Sequence, residues 1–134
     1  NNVLAKFNLL PDGTNPLLCC SGEEICKLVD EINHQRFAML LDTAHLKVSA
    51  ASLGLDLAEE VDKVKQSVKA IHHSDNNGLV DNNQTISNDY WFADYMPEYT
   101  NATHVLEVRN ISLSQIKQQT DLLKSFMNTH KPVF

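Results

Sequence analysis

The sequence predicts an α/β protein made of parallel βα units, and three observations support this fold class. Short apolar runs of strand length alternate with longer amphipathic segments that carry helix-capping residues. Three of these runs end in an acidic or imidazole side chain, at Asp42, His72 and Glu107. These residues lie 30 and 35 positions apart, about one strand plus its crossover helix. The 134 residues are enough for about half of a (β/α)8 barrel, which takes roughly 250.

The first unit begins with a loop and a capped helix. Residues 1–20 show little periodicity and contain Pro and Gly among Asn and Asp, which is typical of a loop. Ser21 and Glu24 form a capping box, which predicts a helix from about Gly22 to Asn33. The continuous apolar run Phe37 to Leu41 predicts a strand that helices bury on both faces.

The second unit repeats this pattern. Apolar residues at helical spacing, surrounded by charged residues, predict an amphipathic surface helix that begins near Leu57. Val68 to Ile71 then forms the second strand. Residues 75–83 are rich in Asn, Asp and Gly, which predicts a loop, and Tyr90 to Met96 is interpreted as a short helix or an aromatic lid.

The third unit ends the chain. Val105 and Leu106 are predicted to lie in the third strand, and Ser112 with Gln115 forms a second capping box. A helix should follow and stop at Pro132. The side chains predicted to form its buried face are Leu113, Ile116, Leu123 and Met127.

Composition limits the classes of partner. The chain has 11 Lys and Arg against 17 Asp and Glu, a net charge of −6 without a basic cluster, so we expect no nucleic-acid partner. No apolar run approaches the ~20 residues of a membrane span. Three cysteines without CxxC spacing suit reduced thiols. We therefore expect a soluble, cytoplasmic protein with one domain over residues 1–134.

Three stretches resemble a known superfamily. LLDTAHLKVSAASLG, IHHSDNNGLVDNN and HVLEVR are similar to the later strands of the xylose isomerase-like TIM barrels, which include sugar isomerases, ketose 3-epimerases and endonuclease IV. In that superfamily a Glu, an Asp, a His and a second Glu on successive strands hold a divalent metal. The D-x-x-H of Asp42 and His45, the H-x-x-D of His72 and Asp75, and the strand-ending Glu107 follow the family order.

The resemblance implies the C-terminal half of such a barrel, with Asp42, His72 and Glu107 as metal ligands. Two carboxylates and one imidazole suit Mn, Mg or Co and also permit Zn. The implied function is a sugar or sugar-phosphate isomerase or epimerase, in which Glu107 carries a proton and His45 either bonds a substrate oxygen or tunes the site. The family's first metal Glu would lie just before Asn1, so we expect a fragment or processed product. Exposed sheet edges predict a homo-oligomer.

Other interpretations of these residues remain open. Asp42 could be an ordinary helix cap, and Asp75 and Asp81 are expected to form turns more often than to bind a metal. His73 should pack against a helix, because successive strand residues point to opposite faces. Glu107 would need a metal or Arg109 as its partner. The aromatic residues expected in the core or at an interface, or else in a sugar-stacking lid, are Trp91, Phe92 and Tyr95.

Two other functions also remain open. One is a non-catalytic half-barrel that self-associates. The other is a DNA-repair phosphodiesterase of the endonuclease IV type, which generally places a D-x-H after the loop for an additional zinc. Here Asp81 is followed by Asn83 instead, and the acidic balance disfavours DNA.

Overall fold

The computed structural model describes residues 1–128, which form an α/β fold. In this part of the chain the strands are β1 (Met39–Asp42), β2 (Val68–His73) and β3 (Thr103–Leu106). The α-helices there are α1 (Gly22–Ile32), α2 (Thr43–Leu53), α3 (Leu57–Val64) and α4 (Leu113–Met127). Shorter 3-10 helices lie at Lys6–Asn8, Lys65–Ser67 and Ala93–Tyr99.

The strands pair in the order β1-β2-β3, and both pairs are parallel, which confirms the predicted α/β class with parallel strands. Asp42 is aligned with His72, and His72 is aligned with Val105. Because parallel strands share a direction, their carboxyl ends meet at one edge of the sheet. The register therefore places the ends of all three strands side by side.

The two faces of the sheet differ in burial. On one face, here called the covered face, Leu41, Ile71 and His73 are buried. On the other, the open face, Leu40 and Val105 are 39% and 40% exposed. The helices contribute their apolar side chains to the same core as the covered face, namely Ile25, Leu46, Val61, Val64 and Leu123. The prediction that helices bury the first strand on both faces is therefore wrong for Leu40.

Helix α2 was not predicted from the sequence. Asp42 ends β1 and also caps α2, because its carboxylate accepts a hydrogen bond from the backbone N–H of His45 at 3.0 Å. The helix is buried on several sides, so its apolar and small residues form no single stripe. It ends at Gly54, whose φ of 69° is readily adopted by a residue without a Cβ.

The other predicted helices agree with the structure in position but not in every buried residue. Both capping boxes are present, at the starts of α1 and α4. In α4 the face predicted to be buried is only partly so: Leu123 is 5% exposed, but Leu113 is 86% and Ile116 is 41% exposed. The first turn of α4 extends away from the core, and Gln119 makes the contact with the main chain of Ile86 instead. Pro132 lies outside the described residues.

Within residues 1–128, none of the helices combines the length and the apolar character that crossing a membrane requires. Cys19, Cys20 and Cys26 are free thiols, as expected.

Candidate metal centre

Three side chains converge at the carboxyl ends of the strands. Asp42, His72 and Glu107 each offer a ligand atom, and these atoms all lie within 4.8 Å of one another. The Nδ1 atom of His72 is 2.6 Å from Oε2 of Glu107 and 3.8 Å from Oδ2 of Asp42. Ligands about 2.1 Å from a shared ion stand at most about 4.2 Å apart, so small side-chain rotations would suffice to hold one.

Strand register explains this convergence. Asp42 and His72 are aligned across β1 and β2, so both side chains project from the open face. Glu107 follows β3, and its backbone N–H donates to the carbonyl of His73 at 2.9 Å, which extends the ladder by one residue. Glu107 is two positions beyond Val105, the partner of His72, and therefore lies on the same face.

The site carries excess negative charge. Asp42 is only 3% exposed, and its burial is the main reason why its pKa is raised. The carboxylates of Glu107 and Asp81 also raise the pKa of Asp42, whereas the hydrogen bond and charge of His45 lower it. A buried acid among other carboxylates needs a positive partner. A divalent cation would supply it.

His45 lies beside the three residues. Its Nδ1 atom is 3.0 Å from the carbonyl oxygen of Asn1. Its Nε2 atom is 3.2 Å from Oδ2 of Asp81 and 3.6 Å from Oδ2 of Asp42. The structure therefore brings His45 to the edge of the site, and Asp81 with it.

Asp81 is the site residue that sequence reasoning placed elsewhere, as a turn former. Its side chain is 14% exposed and contacts His45 rather than closing a turn. A lone Asp in an Asn-rich loop gives no sequence signal of this contact. Asp75, by comparison, stabilises the loop. Its carboxylate accepts a hydrogen bond from the ammonium group of Lys47 at 2.6 Å, and its main chain pairs with that of Gln84.

Asn1 fixes the free edge of β1 next to the site. Its ammonium group donates to the carbonyl of Leu40 at 3.3 Å, and its side-chain oxygen accepts from the backbone N–H of Asp42 at 2.7 Å. Its side-chain NH₂ donates to the carbonyl of Asp42 at 3.2 Å. These contacts hold the backbone of Asp42 from the side opposite β2.

His73 points to the covered face, as predicted, but its partners are not helical. Its ring bonds the hydroxyl of Tyr90 at 3.1 Å and the ring of His104 at 2.8 Å, and Phe92 packs against it. The pKa of His73 is lowered to about 3, mainly because the ring is buried and also because His104 and His72 are close. His73 is therefore neutral.

The aromatic segment belongs to the core. Phe92 is fully buried, and Trp91 and Tyr95 are partly buried rings packed against it. Since Phe92 packs against His73, the segment lies behind the sheet and not over the metal ligands. The alternative interpretation of these rings as a lid that stacks on a sugar is therefore wrong.

The sequence left Glu107 with either a metal or Arg109 as its partner. In the structure its carboxylate is hydrogen-bonded to His72 and not to Arg109.

Comparisons of this chain with protein-family models, curated proteins and solved structures gave no match.

Proposed function

We propose that Asp42, His72 and Glu107 bind one divalent cation of the Mn, Mg or Co type, with Zn as a permitted substitute. The observation that carries this proposal is the convergence, within 4.8 Å, of three ligand atoms from residues at the carboxyl ends of three neighbouring strands. Two carboxylates and an imidazole form an oxygen-rich set that hard cations prefer. The raised pKa of Asp42 adds support, because a cation would compensate the buried charge.

We also propose that the sheet is the C-terminal half of a (β/α)8 barrel. Parallel sheets usually have both faces covered, whereas here the helices cover one face and Leu40 and Val105 remain exposed on the other. In a barrel the helices lie outside, and the inner face is filled by strand side chains. The ligands lie on the open face at the carboxyl ends, where barrel enzymes place their sites.

On this basis we propose sugar or sugar-phosphate isomerase or epimerase chemistry. Glu107 takes a proton from the carbon next to a carbonyl, the electron pair shifts to the carbonyl oxygen, and an enediolate forms. Return of the proton to the neighbouring carbon, with the hydroxyl proton moving between the two oxygens, completes an isomerisation. A bound cation supplies positive charge that stabilises the adjacent oxygens.

Exposure supports the role of Glu107. It is the most exposed of the three ligands, with 43% of its side chain accessible, so a substrate can reach its carboxylate. For His45 to bond a substrate oxygen, its Nε2 atom would have to leave Asp81, because both ring nitrogens already have partners. Epimerisation would need a second proton carrier on the opposite face of the substrate carbon, whereas isomerisation can use Glu107 alone.

The proposal is tested by incubating the protein and Mn²⁺ with aldoses, ketoses and their phosphates in D₂O. NMR then monitors their conversion and the exchange of the proton next to the carbonyl. We expect the wild type to exchange the proton next to the carbonyl and Glu107→Gln to lose this exchange. Glu23→Gln is the matched control, since it removes an exposed carboxylate of α1 far from the site in sequence. Failure of the wild type to exchange any substrate in the presence of bound metal would contradict the enzymatic proposal and favour a non-catalytic half-barrel.

A DNA-repair phosphodiesterase is the second candidate, because Asp81 lies against His45. In the endonuclease IV type an additional zinc is held after this loop, where a D-x-H would be required. Residue 83 is Asn, and its side chain is buried. Cleavage of abasic duplex DNA in the presence of Zn²⁺ would favour this candidate over the isomerase.

A further inference from the structure

A second polar system lies directly behind the metal ligands. It is a chain of hydrogen bonds on the covered side of the sheet, here called the buried chain, that runs through Thr43, Tyr90, His73 and His104. The Thr43 hydroxyl is 2.6 Å from the Tyr90 hydroxyl, which is 3.1 Å from Nδ1 of His73. Nε2 of His73 is 2.8 Å from Nδ1 of His104, whose Nε2 is 3.0 Å from the carbonyl oxygen of Tyr99.

The direction of the protons follows from the carbonyl at the end. A carbonyl only accepts, so His104 donates to Tyr99 from Nε2 and, while neutral, accepts at Nδ1. His73 therefore donates to His104 from Nε2 and accepts the Tyr90 proton at Nδ1. The Thr43 hydroxyl has a single proton, which it shares between the Tyr90 oxygen and the nearer of two main-chain carbonyls, that of His72 at 3.1 Å rather than that of Ser74 at 3.3 Å. All four members are thus bonded without any net charge.

The buried chain touches each ligand-bearing segment. Thr43 follows the ligand Asp42 in sequence, and His73 follows the ligand His72. The Thr43 hydroxyl also contacts the main-chain carbonyl of His72 itself. His104 lies in β3, three residues before Glu107, and is aligned with Ile71 in β2. Displacement of any member would therefore alter the relative positions of the ligand-bearing strands.

We propose that the buried chain positions the metal ligands, with Tyr90 and Thr43 as the positioning residues that fix the main chain at His72. Burial supports this role, because Thr43 and His73 are fully buried and Tyr90 is 2% exposed. Hydrogen bonds in such surroundings are strong and costly to leave unmade. The expected effect on metal affinity rests on the proposed function. The expected effect on the positions of the ligand side chains can be measured without a metal.

The first experiment measures Mn²⁺ affinity by calorimetry in Tyr90→Phe and Thr43→Val, which remove one hydroxyl each and preserve most of the packing volume. We expect about a tenfold loss of affinity in each, at the lower end of the effects of residues that orient metal ligands. Tyr95→Phe is the matched control, because its ring belongs to the same aromatic cluster and its hydroxyl lies outside the buried chain. Circular dichroism checks that every variant is folded.

The second experiment uses the metal-free protein and NMR of the proton shared by Nδ1 of His72 and Glu107, which are 2.6 Å apart. We expect a low-field resonance in the wild type and in Tyr95→Phe, and its weakening or loss in Tyr90→Phe and Thr43→Val. An unchanged resonance in both folded variants would overturn the positioning role. If the wild type binds no Mn²⁺, the proposed metal site fails, and this measurement still decides the role of the buried chain.

Discussion

His72 and His73 are neighbours in β2 with the same side chain, yet they lie in two opposite environments. His72 is on the open face, with 29% of its side chain exposed, and contacts two carboxylates. His73 is fully buried on the covered face and contacts a phenol, an imidazole and aromatic rings. The alternation of strand side chains separates a charged, accessible site from a neutral, closed one by a single residue.

This difference shows how burial acts on charge in the two regions. The pKa of Asp42 on the open face is raised by burial near carboxylates, so its ionised form reduces the stability of the folded state. The pKa of His73 is lowered by burial, so its protonated form does the same. Both groups favour neutrality, and the proposed cation would offset the cost of ionising Asp42. On the covered face, His73 stays neutral and is hydrogen-bonded to the uncharged partners Tyr90 and His104.

The largest expected effect is the loss of stability in His73→Ala. Removal of this ring leaves a cavity and deprives Tyr90 and His104 of a partner, so we expect a loss of about 4 kcal/mol in the free energy of unfolding. His72→Ala should cost less than about 1 kcal/mol in the metal-free protein, since its ring is partly exposed. Urea unfolding measures both values. Equal losses would remove the proposed contrast between the two faces.

A smaller effect is expected on acidification. The pKa of His73 is about 3 in the folded chain and 6.5 ordinarily, so its contribution to stability is complete above pH 6.5 and is lost as the pH falls towards 3. Titration of His73 alone should lower the free energy of unfolding by at most about 1.4 kcal/mol per pH unit in that window. We expect His73→Gln to show a shallower decline than the wild type between about pH 6 and pH 5 in urea unfolding. The exposed His34, replaced by Gln, is the control, and a slope in His73→Gln as steep as that of the wild type would contradict this assignment.

The open face also predicts self-association, because its apolar side chains Leu40 and Val105 are uncovered. Light scattering should give the wild type a mass of at least twice 15.1 kDa. Leu40→Asp should weaken association about tenfold or more, because it places a charge on this face. Leu113→Asp, on an 86% exposed position of α4, should leave the mass unchanged. A wild-type mass of 15.1 kDa at high concentration would contradict the prediction.

The smallest expected effect on stability belongs to Glu107→Gln. Its side chain is 43% exposed, so we expect a change of less than about 1 kcal/mol in the free energy of unfolding. Metal binding should nevertheless fall sharply, because a charged ligand is replaced by an amide. Unfolding in urea and calorimetry with Mn²⁺ separate the two effects. A large loss of stability would indicate that Glu107 stabilises the fold rather than binding a metal.

The parallel sheet and the capped helices could be predicted because their signals are local. Apolar runs such as Phe37 to Leu41 and the capping boxes at Ser21 and Ser112 depend on neighbouring residues alone. Helix α2 could not be predicted in the same way, because burial on several sides removes the stripe that marks a surface helix. The exposure of Leu40 and Leu113 depends on what covers each face, which no local pattern encodes.

The candidate site was predictable only in part. Asp42, His72 and Glu107 could be identified because each ends an apolar run, and parallel strands bring such ends together. Asp42 proved to be both a helix cap and a member of the site, so the two interpretations were not exclusive. The contact of Asp81 with His45 and the buried chain could not be predicted, since they join residues that are distant in sequence and that only the tertiary fold brings together.

The most direct test of the metal site is calorimetry of Mn²⁺ binding to the wild type at neutral pH. We expect weak binding at one site per chain, because Nδ1 of His72 must give up its hydrogen bond with Glu107 before it can bind the cation. Asp42→Asn should weaken this binding. The absence of any binding heat, or binding that is unchanged in Asp42→Asn, His72→Ala and Glu107→Gln, would contradict the proposed metal centre.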